Sequence, residues 1–195
     1  MKVARDFMVE VPVLKFNEKV TRARQVLRDD VYREIYVHDG KKKLMGYVDI
    51  TGVLNVTATR SNVTIEGFIR EITPAKADFS IENVVKSIRT QGTDSIPVVN
   101  DQGLILGGVL LSEIFPVIIT QHRIPGTVME FMSGNVVVCS PDEPIHKIHV
   151  LMTESGFSAF PVMKKKHLVG IISRRDLLKD GRWRASVDGS SNTPV

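Results

Sequence analysis

A chain of 195 residues, 43% hydrophobic and 25% charged, can bury a real core and has the balance of a globular protein, not of a disordered one. Its lone cysteine, Cys139, excludes a disulfide framework and a multi-cysteine metal site, while the absence of a signal-like opening or of about eighteen consecutive apolar residues leads us to expect a cytoplasmic protein with no membrane partner. The net charge of +4 is uneven: between Met163 and Arg184 eight basic residues stand against Asp176 and Asp180, which suits an anionic partner such as a polyphosphate or nucleic acid, or else a plain solvated face.

In chain order, the lead Val3-Ala4-Arg5-Asp6-Phe7-Met8 precedes a helix predicted over Glu18 to Asp30, with Val20, Ala23, Val26 and Leu27 on one face. A strand at Ile35-Tyr36-Val37, a hairpin turn at Asp39-Gly40 and a second strand from Gly46 follow. The next helix is predicted over Asp78 to Arg89, with Ile81, Val84, Val85 and Ile88 inward and Gly92 as its stop; Asp101-Gln102-Gly103 turns the next hairpin. A third lead, Thr127 to Met132, is followed by a strand at Val136-Val137-Val138-Cys139, where the thiol reads as inert core filler. Ser140-Pro141-Asp142-Glu143-Pro144 then starts a helix from Ile145 to Ser155, stopped by Gly156. Strands at Phe160 to Met163 and Leu168 to Ile172 flank a Lys164-Lys165-Lys166 turn, and a short helix runs from Arg174 to Leu178.

One phrase is thus written three times. Ile35-Tyr36-Val37 leads to Gly46-Tyr47-Val48-Asp49-Ile50-Thr51-Gly52, Ile96-Pro97-Val98 to Gly107-Gly108-Val109-Leu110-Leu111-Ser112-Glu113, and Phe160-Pro161-Val162 to Gly170-Ile171-Ile172-Ser173-Arg174-Arg175-Asp176. The glycines Gly46, Gly107 and Gly170 are 61 and 63 residues apart, and Val20, Ile81 and Ile145 are 61 and 64 apart. The fold class is therefore α/β, in tandem β-α-β-β-α units of roughly 60 residues, divided as residues 1–60, 61–120 and 121–185, with 186–195 a polar tail or the start of a fourth unit. So small a unit must pair with a neighbour. The first two are expected to pair with each other and the third with a fourth repeat or a second chain, so a homodimer is expected.

The third phrase, following the Val136-to-Pro141 segment and Phe160-Pro161-Val162, closely resembles the cystathionine-β-synthase (CBS) domain, and the likeness extends through three copies to about Arg184. Paired CBS domains form Bateman modules. The resemblance implies a regulatory, non-catalytic protein that binds an adenosine-bearing ligand (AMP, ADP, ATP, S-adenosylmethionine or a dinucleotide), requires no cofactor and acts on a regulated partner that the sequence does not name. It places an acid on the ribose and a hydroxyl three residues earlier near ribose or phosphate, logic shared with dinucleotide folds. In the third repeat these are Asp176 and Ser173, with Arg174 and Arg175 between them, and the adenine slot would be lined by Asn135, Val136, Val138, Ala159, Phe160 and Pro161. The plain alternative makes Ser173 a helix cap and Asp176 a first-turn acid.

The other copies depart from the pattern. The second has Leu110 at the hydroxyl position and Glu113 at the acid position, so ribose contact survives only through a longer arm. The first has Asp49 and Gly52, which removes the ribose acid and sets a phosphate-repelling carboxylate in its place. His146 and His149 have a spacing that can chelate metal but lack a third ligand, so no metal is expected. Without a P-loop, a dinucleotide fingerprint or a nucleophile elbow, an enzyme is not expected. Two alternatives stay open: nucleic-acid binding through the basic 163–184 segment, with Arg182-Trp183-Arg184 as its one stacking element, and a scaffold that uses the repeats only to dimerise.

Overall fold

The structure, a computed structural model, describes residues 2–29, 32–54, 56, 62–121 and 125–179. The three apolar openers are each the first residue of a long helix: α1 (Val20–Asp29), α3 (Ile81–Gln91) and α6 (Ile145–Ser155). α3 starts where the Ser80 hydroxyl accepts the Asn83 N–H at 3.3 Å, and ends at Gly92, whose φ of 67° permits the left-handed turn that closes the helix. Gly156 ends α6 in the same way at φ 73°. The inward stripes are Val20, Ala23 and Leu27 on α1, Val84 and Ile88 on α3, and Ile148 and Met152 on α6, all buried.

The strands are β1 (Val13–Lys15), β2 (Glu34–His38) and β3 (Leu44–Asp49) in the first repeat, and β4 (Ala75–Lys76), β5 (Ser95–Val99) and β6 (Ile105–Leu110) in the second. In each the first strand runs parallel to the second and the second antiparallel to the third, giving two three-stranded sheets. The third repeat has β7 (Ala159–Lys164) antiparallel to β8 (His167–Ser173), and all three hairpins carry a register slip at the same place, after Val37, Val98 and Val162. A second helix closes each unit, α2 (Ile50–Leu54), α4 (Leu111–Gln121) and α7 (Arg174–Lys179), of which only α4 is as long as α3 and α6, while α5 (Val128–Phe131) forms the third lead. The strand expected over Val136 to Cys139 is reduced to one parallel bridge, Cys139 to Val162. Its three valines are exposed, and β-branched residues favour strand only where a pleated face is covered.

The chain divides into two compact units, one holding the described residues up to Gln121 and the other those from Pro125 on. In the first, the two repeats exchange their leads. Val3 bridges Ser80 and Lys19 bridges Thr64, while Val9 bridges Gly108 and Tyr47 bridges Arg70. Ala4 N–H donates to the Phe79 carbonyl at 2.8 Å, and Ile65 N–H to that of Glu18 at 2.8 Å. Leu44 N–H reaches the Gly103 carbonyl at 3.0 Å, and Ile105 N–H that of Lys42 at 2.9 Å. Every one of these pairs turns into its counterpart when 61 is added to one number and subtracted from the other. A pseudo-twofold axis therefore relates the repeats. On the axis, residues 61 apart touch directly: Arg33 pairs with Asp94 at 3.1 Å, the Ser95 hydroxyl donates to Glu34 at 2.8 Å, and Lys43 bridges Leu104.

The exchange puts each lead into the other repeat's core. Ala4 lies in the cluster of Ala75, Val84, Ile88, Ile96, Val98, Val109 and Ile114, with Phe7 and Met8 packed on it. Ala4 and Ile65 are both 0% exposed, and burying a side chain the size of Ile65 stabilises by roughly 1.5–3 kcal/mol. The crossing also fixes two glycines. A Cβ on Gly46 would stand 2.3 Å from the Arg70 carbonyl oxygen, and one on Gly107 2.7 Å from that of Val9. No helix among the described residues is long and apolar enough to cross a membrane.

Candidate ligand-binding site

The third phrase turns from strand to helix at Ser173. The Ser173 hydroxyl and N–H both donate to Asp176 Oδ2, at 2.6 and 2.9 Å, and the Asp176 N–H returns to Ser173 Oγ at 3.4 Å. This is a closed capping box for α7, so the capping role weighed from sequence is the one these two side chains carry here. It also presents one carboxylate, held in place, at the start of a helix. Across the hairpin Ala159 is the register partner of Ser173, which brings the strand end with Ala159, Phe160 and Pro161 beside the hydroxyl and acid. The segment carrying Asn135, Val136 and Val138 reaches β7 through Cys139, whose N–H donates to the Pro161 carbonyl at 3.0 Å and whose carbonyl accepts the Met163 N–H at 2.8 Å.

The slot candidates do not all share a surface. Asn135, Val136, Val138 and Ala159 are exposed and Pro161 is half-buried. Phe160 instead fills the unit's core, packed edge-on against Phe157 with ring centroids 6.3 Å apart. The two arginines also differ. Arg174 N–H donates to the Ser158 carbonyl at 3.0 Å, and its guanidinium donates to the Met152 carbonyl in α6 at 2.8 Å. It ties α7 to α6, a role that non-local contact alone creates and that the sequence does not display. Arg175 is half-buried in the first turn of α7. His149 is half-buried in α6; burial, and then the Arg174 charge, hold its pKa below the ordinary histidine value. Burial, with Glu143 adding to it, pushes the Cys139 thiol up, in keeping with an inert side chain. Lys164, Lys165 and Lys166 are exposed at the hairpin tip, whereas the rest of the basic segment from Asp180 on, including Arg182, Trp183 and Arg184, lies outside the described residues.

The junctions of the first unit are built differently. Asp49 accepts the Gly52 N–H at 2.8 Å and the Arg70 guanidinium at 2.7 Å, and Arg70 lies over the Tyr47 ring. The carboxylate expected to repel phosphate is therefore paired with an arginine from the other repeat's lead, which sequence spacing does not reveal. Glu113 is exposed in the first turn of α4, in the unit that does not contain Ser173 and Asp176. Among the described residues no group of three His, Cys, Asp or Glu side chains is placed to hold a metal ion.

Residues 128–181 match the CBS domain family, and the repeated β-α-β-β-α units have the fold of CBS domain pairs. The chain is 24% identical over 169 residues to the L-aspartate semialdehyde sulfurtransferase of Methanocaldococcus jannaschii, a match covering 82% of this chain and 33% of that protein. The chain thus spans about a third of that relative's length. Among solved structures, protein MJ1225 of the same organism, proposed as an archaeal homolog of g-AMPK, superposes with a TM-score of 0.80 at 15% identity, covering 94% of this chain and 76% of that one. The CBS domain pair of protein MJ0100, solved with 5′-methylthioadenosine and S-adenosyl-L-methionine, superposes with a TM-score of 0.54 at 18% identity, covering 63% and 99%.

Proposed function

We propose that this chain, whose third repeat is a CBS domain, is a regulatory sensor that binds an adenosine-bearing small molecule at the β8–α7 junction. The observation that carries the reading is the fixed Ser173 and Asp176 pair beside Ala159, in the stretch that matches the family. A ribose offers two hydroxyl donors to one carboxylate, and the Asp176 carboxylate is held in place at this junction by Ser173. The domain pair of MJ0100, solved with two adenosine compounds, supports that ligand class. Because the sulfurtransferase match covers a third of that protein, its catalytic name does not argue for catalysis here. Occupancy would act by differential affinity: a ligand bound better in one arrangement of the units shifts the population toward it. The purified chain, screened by thermal shift and then calorimetry against AMP, ADP, ATP, S-adenosylmethionine and 5′-methylthioadenosine, should be stabilised by at least one of them. No response to any at millimolar concentration would overturn the reading.

A further inference from the structure

Among the described residues, the non-glycine positions with a left-handed backbone are three, and all are lysines at hairpin tips: Lys42 at φ 66°, Lys165 at φ 54° and Lys166 at φ 141°. That conformation disfavours a residue with a Cβ. The second repeat builds its tip, Asp101-Gln102-Gly103, without the conflict, since Gly103 takes φ 77° at the place that Lys42 holds 61 residues earlier. Lysine therefore stands in the first and third tips against the preference of the turn, and strain kept in this way points to what the side chain does outside the fold.

Both tips concentrate positive charge. Lys41, Lys42 and Lys43 are exposed, and the Lys15 side chain from β1 lies against Gly40, with Cε 3.0 Å from the place a Cβ would take there, so four lysines gather at this end of the first unit. Asp39 is turned onto the backbone, its Oδ1 accepting the Lys41 and Lys43 N–H groups at 2.7 and 3.2 Å, and Asp101 is paired with Lys76. In the third tip Lys164, Lys165 and Lys166 are exposed, and the sequence holds no acid between them and Asp176. The seven residues of β8 put roughly 20 Å between Lys166 and Ser173, so this charge stands apart from the adenosine site proposed above. From these observations we infer that the two lysine tips are contacts for the phosphate backbone of a nucleic acid, bound by charge without regard to base sequence. Ammonium groups meet phosphate as point charges and read no base edges. The tips stand on separate compact units; a polymer that repeats its phosphate along its length offers a partner to each, whereas a mononucleotide carries one short phosphate chain. A bilayer surface suits them less, because residues 40–43 and 164–167 include no apolar side chain to insert.

The test is fluorescence anisotropy of the full chain against two short DNA duplexes of unrelated sequence and a single-stranded RNA, over a range of salt. All should bind at low salt, the two duplexes equally, with log affinity falling linearly against log salt. Lys42→Gly and Lys165→Gly each remove a charge together with the strain, so each should melt no lower than wild type while the slope on duplex DNA shrinks by about 0.9. Lys86→Gln removes the same charge from the exposed side of α3 and should leave the slope as it is. Should either glycine variant fail to fold, Lys41→Gln and Lys164→Gln make the same comparison at positions without the left-handed backbone. No binding to any of the three at low salt, preference for one duplex sequence, tighter binding to phosphatidylserine vesicles than to the duplexes, or folded tip variants that keep the wild-type slope would each overturn the inference.

Discussion

Replacing Glu34 with glutamine should remove a pH dependence from the stability of the first unit. Glu34 is buried on the pseudo-twofold axis. It accepts the Asp94 N–H at 2.9 Å and the Ser95 hydroxyl at 2.8 Å. Since the single Ser95 hydroxyl proton points to Glu34, the Tyr36 hydroxyl 2.6 Å away must donate to Ser95. Burial outweighs these donors, and Asp94 and Asp49 add to it, so the Glu34 pKa lies above the ordinary glutamate value. A carboxyl whose pKa is raised by folding is protonated more readily in the fold than in the unfolded chain. Stability therefore falls as pH rises from the ordinary value through the folded one, by about 1.4 kcal/mol for each pH unit of that window, and is flat above it. Glutamine mimics the protonated acid, so variant and wild type should agree most closely near pH 4. Above that the variant should gain steadily until the wild-type curve levels, by about 2–4 °C in midpoint per kcal/mol for a chain of this size. Urea unfolding followed by circular dichroism from pH 4 to 8 measures the difference. A constant offset, or a variant that loses ground as pH rises, would show that the donors outweigh burial and refute the reasoning.

Asp176→Asn keeps an oxygen for the Ser173 donors but cannot accept two ribose hydroxyls, so affinity for the best adenosine compound should fall by about 10- to 150-fold in calorimetry, from roughly 1.5–3 kcal/mol of charge-assisted bonding; Glu113→Ala should change it little. Ile65→Ala should cost about 2–5 kcal/mol in denaturant titration, because the lead of the second repeat fills the first repeat's core. Gly156→Ala should cost about 1 kcal/mol through its positive φ. Cys139 should react with a thiol reagent far more slowly in the native chain than in denaturant, and equal rates would place the thiol outside the core.

Periodicity carried much of the fold. The helix from Ile145 to Ser155 and its glycine stop have the bounds read from the sequence, and α1 and α3 differ from their predicted spans by at most three residues at an end, because apolar spacing and capping are local properties. The lead exchange was not legible, since pairings such as Val9 with Gly108 join residues far apart in the chain and leave no period. The signal that could have pointed to it was the phrase glycine itself, kept at Gly46 and Gly107 where a backbone passes too close for any Cβ. From Val136 to Cys139 the β-branched composition favours a strand, but Val136, Val137 and Val138 are exposed and only Cys139 bridges β7, so composition without a covered face does not make one. At the site, the Ser173 and Asp176 juxtaposition was legible from their three-residue spacing, but the engagement of Arg174 with α6 and of Arg70 with Asp49 depends on tertiary neighbours and was not.

The exchanged leads also set a timetable for biosynthesis. Val3 and Ala4 leave the ribosome well before their partners: Phe79 and Ser80 follow some seventy-five residues later, and Gly108, which receives Val9, later still. The first repeat therefore cannot finish folding as it emerges. It must wait with its apolar lead unburied until β6 is made, so the rate of folding is tied to these distant closures. A pause in translation before Gly108 would prolong the interval in which a chaperone or another nascent chain can capture that lead.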